Sequence, residues 1–221
     1  MKIAPKSLCL YAVTDRRWLK EETLAEAVEQ ALQGGVTFVQ LREKGTDLMS
    51  RAELWQEAKE IQTICRRYQV PFVIDDNVEL ALALAADGVH VGQKDMEAGE
   101  ARRRIGENKI LGVSARSVEE ALLAQSRGAD YLGVGAVFPT GSKDDARRIS
   151  SELLQAICAA VDIPVVAIGG ITEANAVQLA GTGIAGCAAI SAIFGQTDIC
   201  RAANRLKQVV LRASLMERRV L

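Results

Sequence analysis

Residues 34–44 read "GGVTFVQLREK". Two glycines close a helical pattern, and Phe38, Val39 and Leu41 then supply the apolar run of a buried strand. Gln40, Arg42 and Lys44 stand two apart, which puts all three on one face of an extended chain. A buried strand that ends in a glutamine and two cations on one face leads into a site. The same passage from helix end to strand returns as "AADGVHVG" at 85–92, "GADYLGVG" at 128–135 and "GIAGCAAI" at 183–190. These units recur at about 43–55 residues, the length of two βα pieces. An open doubly wound sheet has no reason to repeat around the whole chain, whereas a closed (β/α)8 barrel does. The fold expected is α/β, a single-domain TIM barrel over residues 1–221.

Working outward, short apolar runs predict strands over 8–13, 38–41, 72–74, 88–91, 110–113, 131–134, 165–168 and 186–190. Helical periodicity fills the intervals. "TLAEAVEQALQGG" places Leu24, Ala27, Val28, Ala31 and Leu32 on one stripe, with Thr23 and Glu26 as a capping box. A long amphipathic helix starts near Ser50. A further one is capped by Ser117 with Glu120 and stops at Gly128. "SSELLQAICAAV", "TEANAVQLAGTG" and "DICRAANRLKQVVLRASL" predict later helices. The helix between Asp76 and Gly88 is short, and the pattern after Gly99 is weak.

The chain has 221 residues, 49% hydrophobic and 25% charged, with formal net charge −1. That is enough to bury a core, and it carries no excess of basic charge for nucleic acid. No window approaches a membrane span, and the N-terminus lacks a signal-peptide pattern. The five cysteines, Cys9, Cys65, Cys158, Cys187 and Cys200, include no C-x-x-C pair. They read as small core hydrophobes in a reducing cytoplasm. The partners expected are small molecules, and the sequence leaves a homo-oligomer open.

In such a barrel the chemistry sits at the C-terminal strand ends. Strand 2 exits through Gln40, Arg42 and Lys44, and strand 3 into Asp75, Asp76 and Asn77. Strand 4 exits through His90 toward Asp95, strand 5 at Ser114, and strand 6 into Thr140, Gly141, Ser142 and Lys143. Strand 7 exits into Gly169 and Gly170, and strand 8 at Ile190 and Ser191. The cations suit a polyphosphate. Asp76 and Asp95, from neighbouring strands, suit Mg²⁺ completed by phosphate oxygens and water. The loops after strands 7 and 8 suit a second, metal-free phosphate site. Blander readings stand beside these. Asp75 and Asp76 also suit a turn or a helix N-cap, Asp95 a surface cap, Ser114 and Ser191 caps, and Gly169 with Gly170 a tight turn. His90, the single histidine, excludes a His-based metal cluster and reads as a packed or hydrogen-bonded barrel residue.

"QLREK", "IDDN", "DGVHVGQKD", "GVSA", "DYLGVGAVFPTGSKDDA", "AIGGI" and "ISAIF", in that order over nearly the whole chain, resemble the thiamine phosphate synthase family. The resemblance implies a transferase that joins 4-amino-2-methyl-5-(diphosphooxymethyl)pyrimidine to a thiazole phosphate, forming thiamine monophosphate and pyrophosphate. Position by position, it implies that Gln40, Leu41, Arg42, Glu43, Lys44, Asp75, Ser114 and Lys143 hold the pyrimidine diphosphate. Thr140, Gly141, Ser142, Gly170, Ile190 and Ser191 hold the thiazole phosphate, and Asp76 and Asp95 ligate Mg²⁺. Arg42, Lys44, Lys143 and Ser114 carry the chemistry, with the "PTGSKDDARR" loop as a lid. Asp75 departs from the asparagine usual in the family and, when ionised, only accepts hydrogen bonds. Ser142 replaces a common threonine and keeps the hydroxyl. Two rivals use the same scaffold: a thiazole phosphate tautomerase with His90 moving the proton, and a non-catalytic binder of a phosphate metabolite.

Overall fold

Eight four- to six-residue strands form the framework: β1 (Leu10–Val13), β2 (Phe38–Leu41), β3 (Phe72–Asp75), β4 (Gly88–Val91), β5 (Ile110–Ala115), β6 (Tyr131–Gly135), β7 (Val165–Ile168) and β8 (Gly186–Ala189). Each pairs in parallel with the next, and the pairing of Leu10 with Cys187 joins β8 back to β1, so the sheet closes into a barrel. The computed structural model describes residues 3–43, 50–141 and 148–217. Helices α1 (Leu24–Gln33), α2 (Arg51–Arg67), α3 (Val78–Ala83), α4 (Ala98–Ile105), α5 (Val118–Ser126), α6 (Ser151–Ala160), α7 (Ser191–Phe194) and α8 (Ile199–Glu217) lie outside it.

Strand alternation divides the core into two shells. Val39, Leu41, Ile74, Val89, Leu132 and Ala167 point outward and pack beneath the helices. Tyr11, Val13, Phe38, Val73, Tyr131 and Val166 point inward and fill the barrel. The interior has little room. A Cβ at Gly112 would lie 2.2 Å from Tyr131 Cζ and 2.5 Å from His90 Nδ1. A glycine on β5 therefore makes space for an aromatic ring from β6 and an imidazole from β4.

The helix starts follow the sequence closely. Thr23 with Glu26, and Ser50 with Glu53, form complete capping boxes. Ser117 accepts from the Glu120 N–H, but the Glu120 carboxylate takes the Arg116 N–H at 2.7 Å, one residue earlier than a capping box requires. Three segments differ from expectation. Leu8 ends a 3-10 turn begun by Pro5 and is not in β1. The weak pattern after Gly99 is a formed helix, because the Glu97 carboxylate caps the Gly99 and Glu100 N–H groups. The segment 172–183 holds only a 3-10 turn, Ala176–Leu179. There Asn175 accepts from the Thr172 N–H and donates to the Gly170 carbonyl, both at 2.8 Å, which competes with helical bonding. Gly181 and Gly183, at φ 79° and 82°, then turn the chain away.

At the N-terminal ends of β5 and β6, Arg102 of α4 is nearly buried. It donates to the carbonyls of Gly128, Gly106 and Lys109 and to Asp130 Oδ2 at 2.6 Å. Asp130 Oδ2 also accepts from the Leu111 N–H at 2.8 Å. This clamp ties three segments together at the end of the barrel away from the strand exits, where fixed polar groups serve stability. Arg102→Ala removes the guanidinium from the three carbonyls and leaves the Asp130 carboxylate without its paired charge. Chemical denaturation is expected to show a loss of about 3–5 kcal/mol.

Candidate active site

The mouth begins where β1 and β2 end. Thr14 Oγ1 accepts from the Arg42 N–H at 2.9 Å and also reaches the Arg42 carbonyl at 3.3 Å, stitching the two strand exits together. Arg42 is held inside, with its side chain only 10% exposed. Its Nη1 donates to Asp15 Oδ2 at 3.3 Å, and its Nε lies 3.8 Å from Asp75 Oδ2. The Nε–H is buried and has no hydrogen-bond acceptor among the described residues. The guanidinium therefore sits between two carboxylates without full satisfaction, an arrangement suited to an incoming anion. Burial raises the Asp15 pKa, but hydrogen bonds from Arg17 and the charges of Arg17 and Arg42 outweigh it and hold the carboxyl below its usual range.

The strand geometry sorts the other residues expected on β2. Gln40 points inward and donates through Nε2 to the Tyr11 hydroxyl at 2.6 Å. Leu41 points outward into the helix-packed shell. The buried Glu43 carboxylate faces Arg16 Nε and Thr14 Oγ1, away from Arg42. Burial raises the Glu43 pKa, and Arg16 offsets part of that rise.

Asp75 ends β3. Asp76 follows at φ 59°, a left-handed conformation that costs a non-glycine residue about 1–3 kcal/mol and clusters at functional sites. Its N–H donates to the His90 carbonyl at 2.8 Å, which draws the exits of β3 and β4 together. The cap of α3 is Asn77, not either aspartate. Asp95 is exposed, and its Oδ2 accepts from the Gly92 N–H at 2.8 Å, so it fixes its own loop while Glu97 caps α4. Ser114 lies within β5, which runs to Ala115. Its Oγ is 2.9 Å from His90 Nε2, and its carbonyl accepts from Gln93 Nε2 at 2.6 Å. Among the described residues no three His, Cys, Asp or Glu side chains converge on one point. Asp76 and Asp95 follow adjacent strands, β3 and β4, and both offer carboxylate oxygens. That donor set fits Mg²⁺ if a ligand supplies further oxygens.

Opposite this charged half lies a cleft of about 230 Å³, lined by Ser114, Thr140, Gly141, Gly170, Ile190 and Ser191, and by residues including Gly133, Gly135, Arg116, Ile168, Thr172 and Trp18. Gly170 has φ 66°, and a Cβ there would lie 2.2 Å from the Pro139 carbonyl oxygen. Glycine is thus required for the β6 and β7 exits to approach each other. Ile190, not Ser191, is the N-cap of α7, and it makes no side-chain cap bond. Lys44, Ser142 and Lys143 lie outside the described residues.

Sequence reasoning passed over the exit of β1. "TDRRW" carries Thr14 and Asp15, buried polar residues that fix Arg42, and Trp18, which walls the cleft. The available signal was two polar side chains directly after an apolar strand. The inward Tyr11 and Tyr131 were also missed as polar groups. Their hydroxyls are 2.8 Å apart, and Tyr131 reaches His90 Nδ1 at 3.0 Å.

Residues 10–193 match the family described as thiamine monophosphate synthase. A thiamine-phosphate synthase of Ruminiclostridium cellulolyticum is 52% identical over 200 residues, 90% of this chain and 94% of that protein. The Clostridium tetani enzyme of the same name is 52% identical over 197 residues, 89% and 93% of the two chains. The solved thiamine phosphate pyrophosphorylase of Pyrococcus furiosus superposes with a TM-score of 0.86 at 42% identity, covering 95% of this chain and 98% of that one.

The two interior phenols give this region a pH signature. Burial raises the Tyr11 pKa well above the usual 10.0, and the neighbouring Tyr131 adds to the rise. Burial likewise raises that of Tyr131. Folding therefore favours the neutral phenols. Their contribution to stability is complete below the unfolded-chain value and is lost as pH rises above about 10. Absorbance titration is expected to show Tyr11 and Tyr131 ionising only as the chain unfolds.

Proposed function

The chain belongs to the thiamine monophosphate synthase family and is a transferase of thiamine biosynthesis, and from that premise we propose how its mouth divides the work. The substrates are the aminopyrimidine methyl diphosphate and the thiazole phosphate, and the products are thiamine monophosphate and pyrophosphate. One observation carries this reading. The buried Arg42, with its Nε–H unsatisfied among the described residues and lying between Asp15 and Asp75, faces a mouth whose other half is a largely apolar cleft with no carboxylate in its lining. A diphosphate fits the first half, and a heterocycle bearing a single phosphate fits the second.

In this reading Arg42, Lys44 and Lys143 hold the diphosphate and balance the charge that grows on it as the methylene carbon–oxygen bond breaks. Mg²⁺ at Asp76 and Asp95 supplies further neutralisation of that leaving group when bound. Gln40, Asp75 and Ser114 orient the pyrimidine, whose electron-rich ring carries the methylene cation left behind. Thr140, Gly141, Ser142, Gly170, Ile190 and Ser191 hold the thiazole phosphate so that the thiazole nitrogen meets that carbon. The apolar wall of the cleft, including Ile168, Ile171 and Trp18, limits the water that would trap the cation. The substrates are small molecules, and the cysteine usage suits a cytoplasmic setting. Among the described residues no helix is long and apolar enough to cross a membrane.

Pyrophosphate release is expected only with both organic substrates and Mg²⁺ present. Thiazole phosphate turnover without the pyrimidine substrate and without Mg²⁺, with no pyrophosphate released, would replace this reading with the tautomerase. Lys143→Ala is expected to lower kcat by about 10²–10³-fold with no change in thermal midpoint. Asp76→Asn is expected to raise the Mg²⁺ concentration needed for half-maximal rate. Steady-state kinetics beside a thermal melt checks both.

A further inference from the structure

Beneath the mouth a file of hydrogen bonds crosses the barrel. Gln40 Nε2 is 2.6 Å from the Tyr11 hydroxyl, which is 2.8 Å from the Tyr131 hydroxyl. The Tyr131 hydroxyl is 3.0 Å from His90 Nδ1, and His90 Nε2 is 2.9 Å from Ser114 Oγ. The five residues stand on five different strands; Gln40 at one end is buried two residues before Arg42, and Ser114 at the other lines the cleft. We propose that this file is directional: it fixes His90 as the neutral Nε2–H tautomer, and it turns the Gln40 carbonyl and the Ser114 hydroxyl hydrogen toward the substrate. Tyr11, Tyr131 and His90 are then positioning residues.

The direction follows from counting hydrogens. An amide nitrogen donates and does not accept, so the Tyr11 oxygen accepts from Gln40. Tyr11 is buried and the Tyr131 oxygen is the acceptor beside its hydroxyl, so that the one Tyr11 hydrogen goes to Tyr131 and is not left unsatisfied. Tyr131 is fully buried, and its own hydrogen has His90 Nδ1 as the acceptor in line. If Nδ1 also carried a hydrogen, two donors would meet and the buried Tyr131 hydrogen would lose that acceptor, an arrangement proteins avoid. Nδ1 is therefore bare, the ring hydrogen is on Nε2, and Nε2 donates to Ser114. The Ser114 oxygen is then an acceptor toward His90, and its hydrogen is directed into the cleft that Ser114 lines.

What the two ends present has a consequence that rests on the proposed function. A carbonyl from one side and a hydroxyl hydrogen from the other match a ring bearing an amino group and an unprotonated ring nitrogen. A ring with an oxo group and a protonated nitrogen reverses both and sets like against like. The file thus selects an aminopyrimidine over its oxo analogue.

His90 is the only histidine in the chain, so ring ¹⁵N labelling of histidine gives one pair of nitrogen signals. In the free protein at neutral pH the hydrogen is expected on Nε2. In Gln40→Glu a carboxylate that only accepts replaces the amide. Each hydroxyl turns round, and the ring hydrogen is expected to move to Nδ1. In Tyr131→Phe the Nδ1 partner is gone, and a mixture of tautomers is expected. A wild-type hydrogen on Nδ1 overturns the proposal. So does an unchanged Nε2–H in folded Gln40→Glu protein, or in Tyr131→Phe protein should the charged variant fail to fold. These spectra need no substrate, so they stand or fall apart from the pyrophosphate-release assay.

Discussion

Closing eight strands on themselves leaves an interior that only their own inward side chains can fill. The register decides which side chains those are. Gln40 pairs beside Val73, Asp75 beside His90, Gly112 beside Tyr131 and Ser114 beside Gly133. Because side chains alternate faces, a shift of one residue in any pair would send these polar groups into the helix-packed shell. Volume adds a second condition. Tyr131 and His90 fit only because Gly112 has no Cβ. The polar file, the cleft above it and the placing of Arg42 all follow from one closed register.

That constraint also separates the two halves of the mouth. On the side of β1 to β4 the rim carries Asp15, Arg42 and Asp75, whose charges act on one another. Arg42 is drawn toward Asp15 and Asp75 yet keeps a buried N–H without an acceptor among the described residues. On the side of β5 to β8 Gly133, Gly135, Ile168 and Ala188 are small or apolar, and they line the cleft with Ser114. Charge handling and exclusion of water are thereby assigned to different strands. A reaction in which a highly charged group departs and an uncharged nitrogen arrives needs both conditions at one carbon.

The barrel was legible because its signals are local and repeated. Apolar runs at βα spacing, and caps such as Thr23 with Glu26, need no knowledge of the tertiary structure. The helix expected over 172–183 failed because Asn175 bonds to its own loop, a competition that periodicity does not register. At the site, the rim residues of β2 to β8 could be found by following each strand to its end. The side chains of Leu41 and Glu43 could not be sorted in this way, since their directions depend on which face the barrel closes over. Thr14 and Asp15 were hidden for a related reason. Their importance lies in a contact with Arg42, 27 residues away for Asp15, and spacing alone does not show it.

Asp75 shows how contact changes the meaning of a residue type. Taken alone, a carboxylate in place of the asparagine expected from the resemblance adds negative charge beside the proposed Mg²⁺ ligands and the proposed diphosphate site, which would weaken both. In the folded chain its Oδ2 lies 3.8 Å from Arg42 Nε, at a position only 11% exposed, where opposite charges are weakly screened. The added charge therefore acts first on Arg42. With Asp15 on its other side, Arg42 is flanked by two anions, and the field it can offer an incoming diphosphate is reduced. Correspondingly more of the neutralisation falls to the other cations expected at the rim and to Mg²⁺. In the proposed mechanism the substitution thus shifts how neutralisation is shared among the groups of the mouth and leaves the proposed Mg²⁺ ligands Asp76 and Asp95 unaltered in kind.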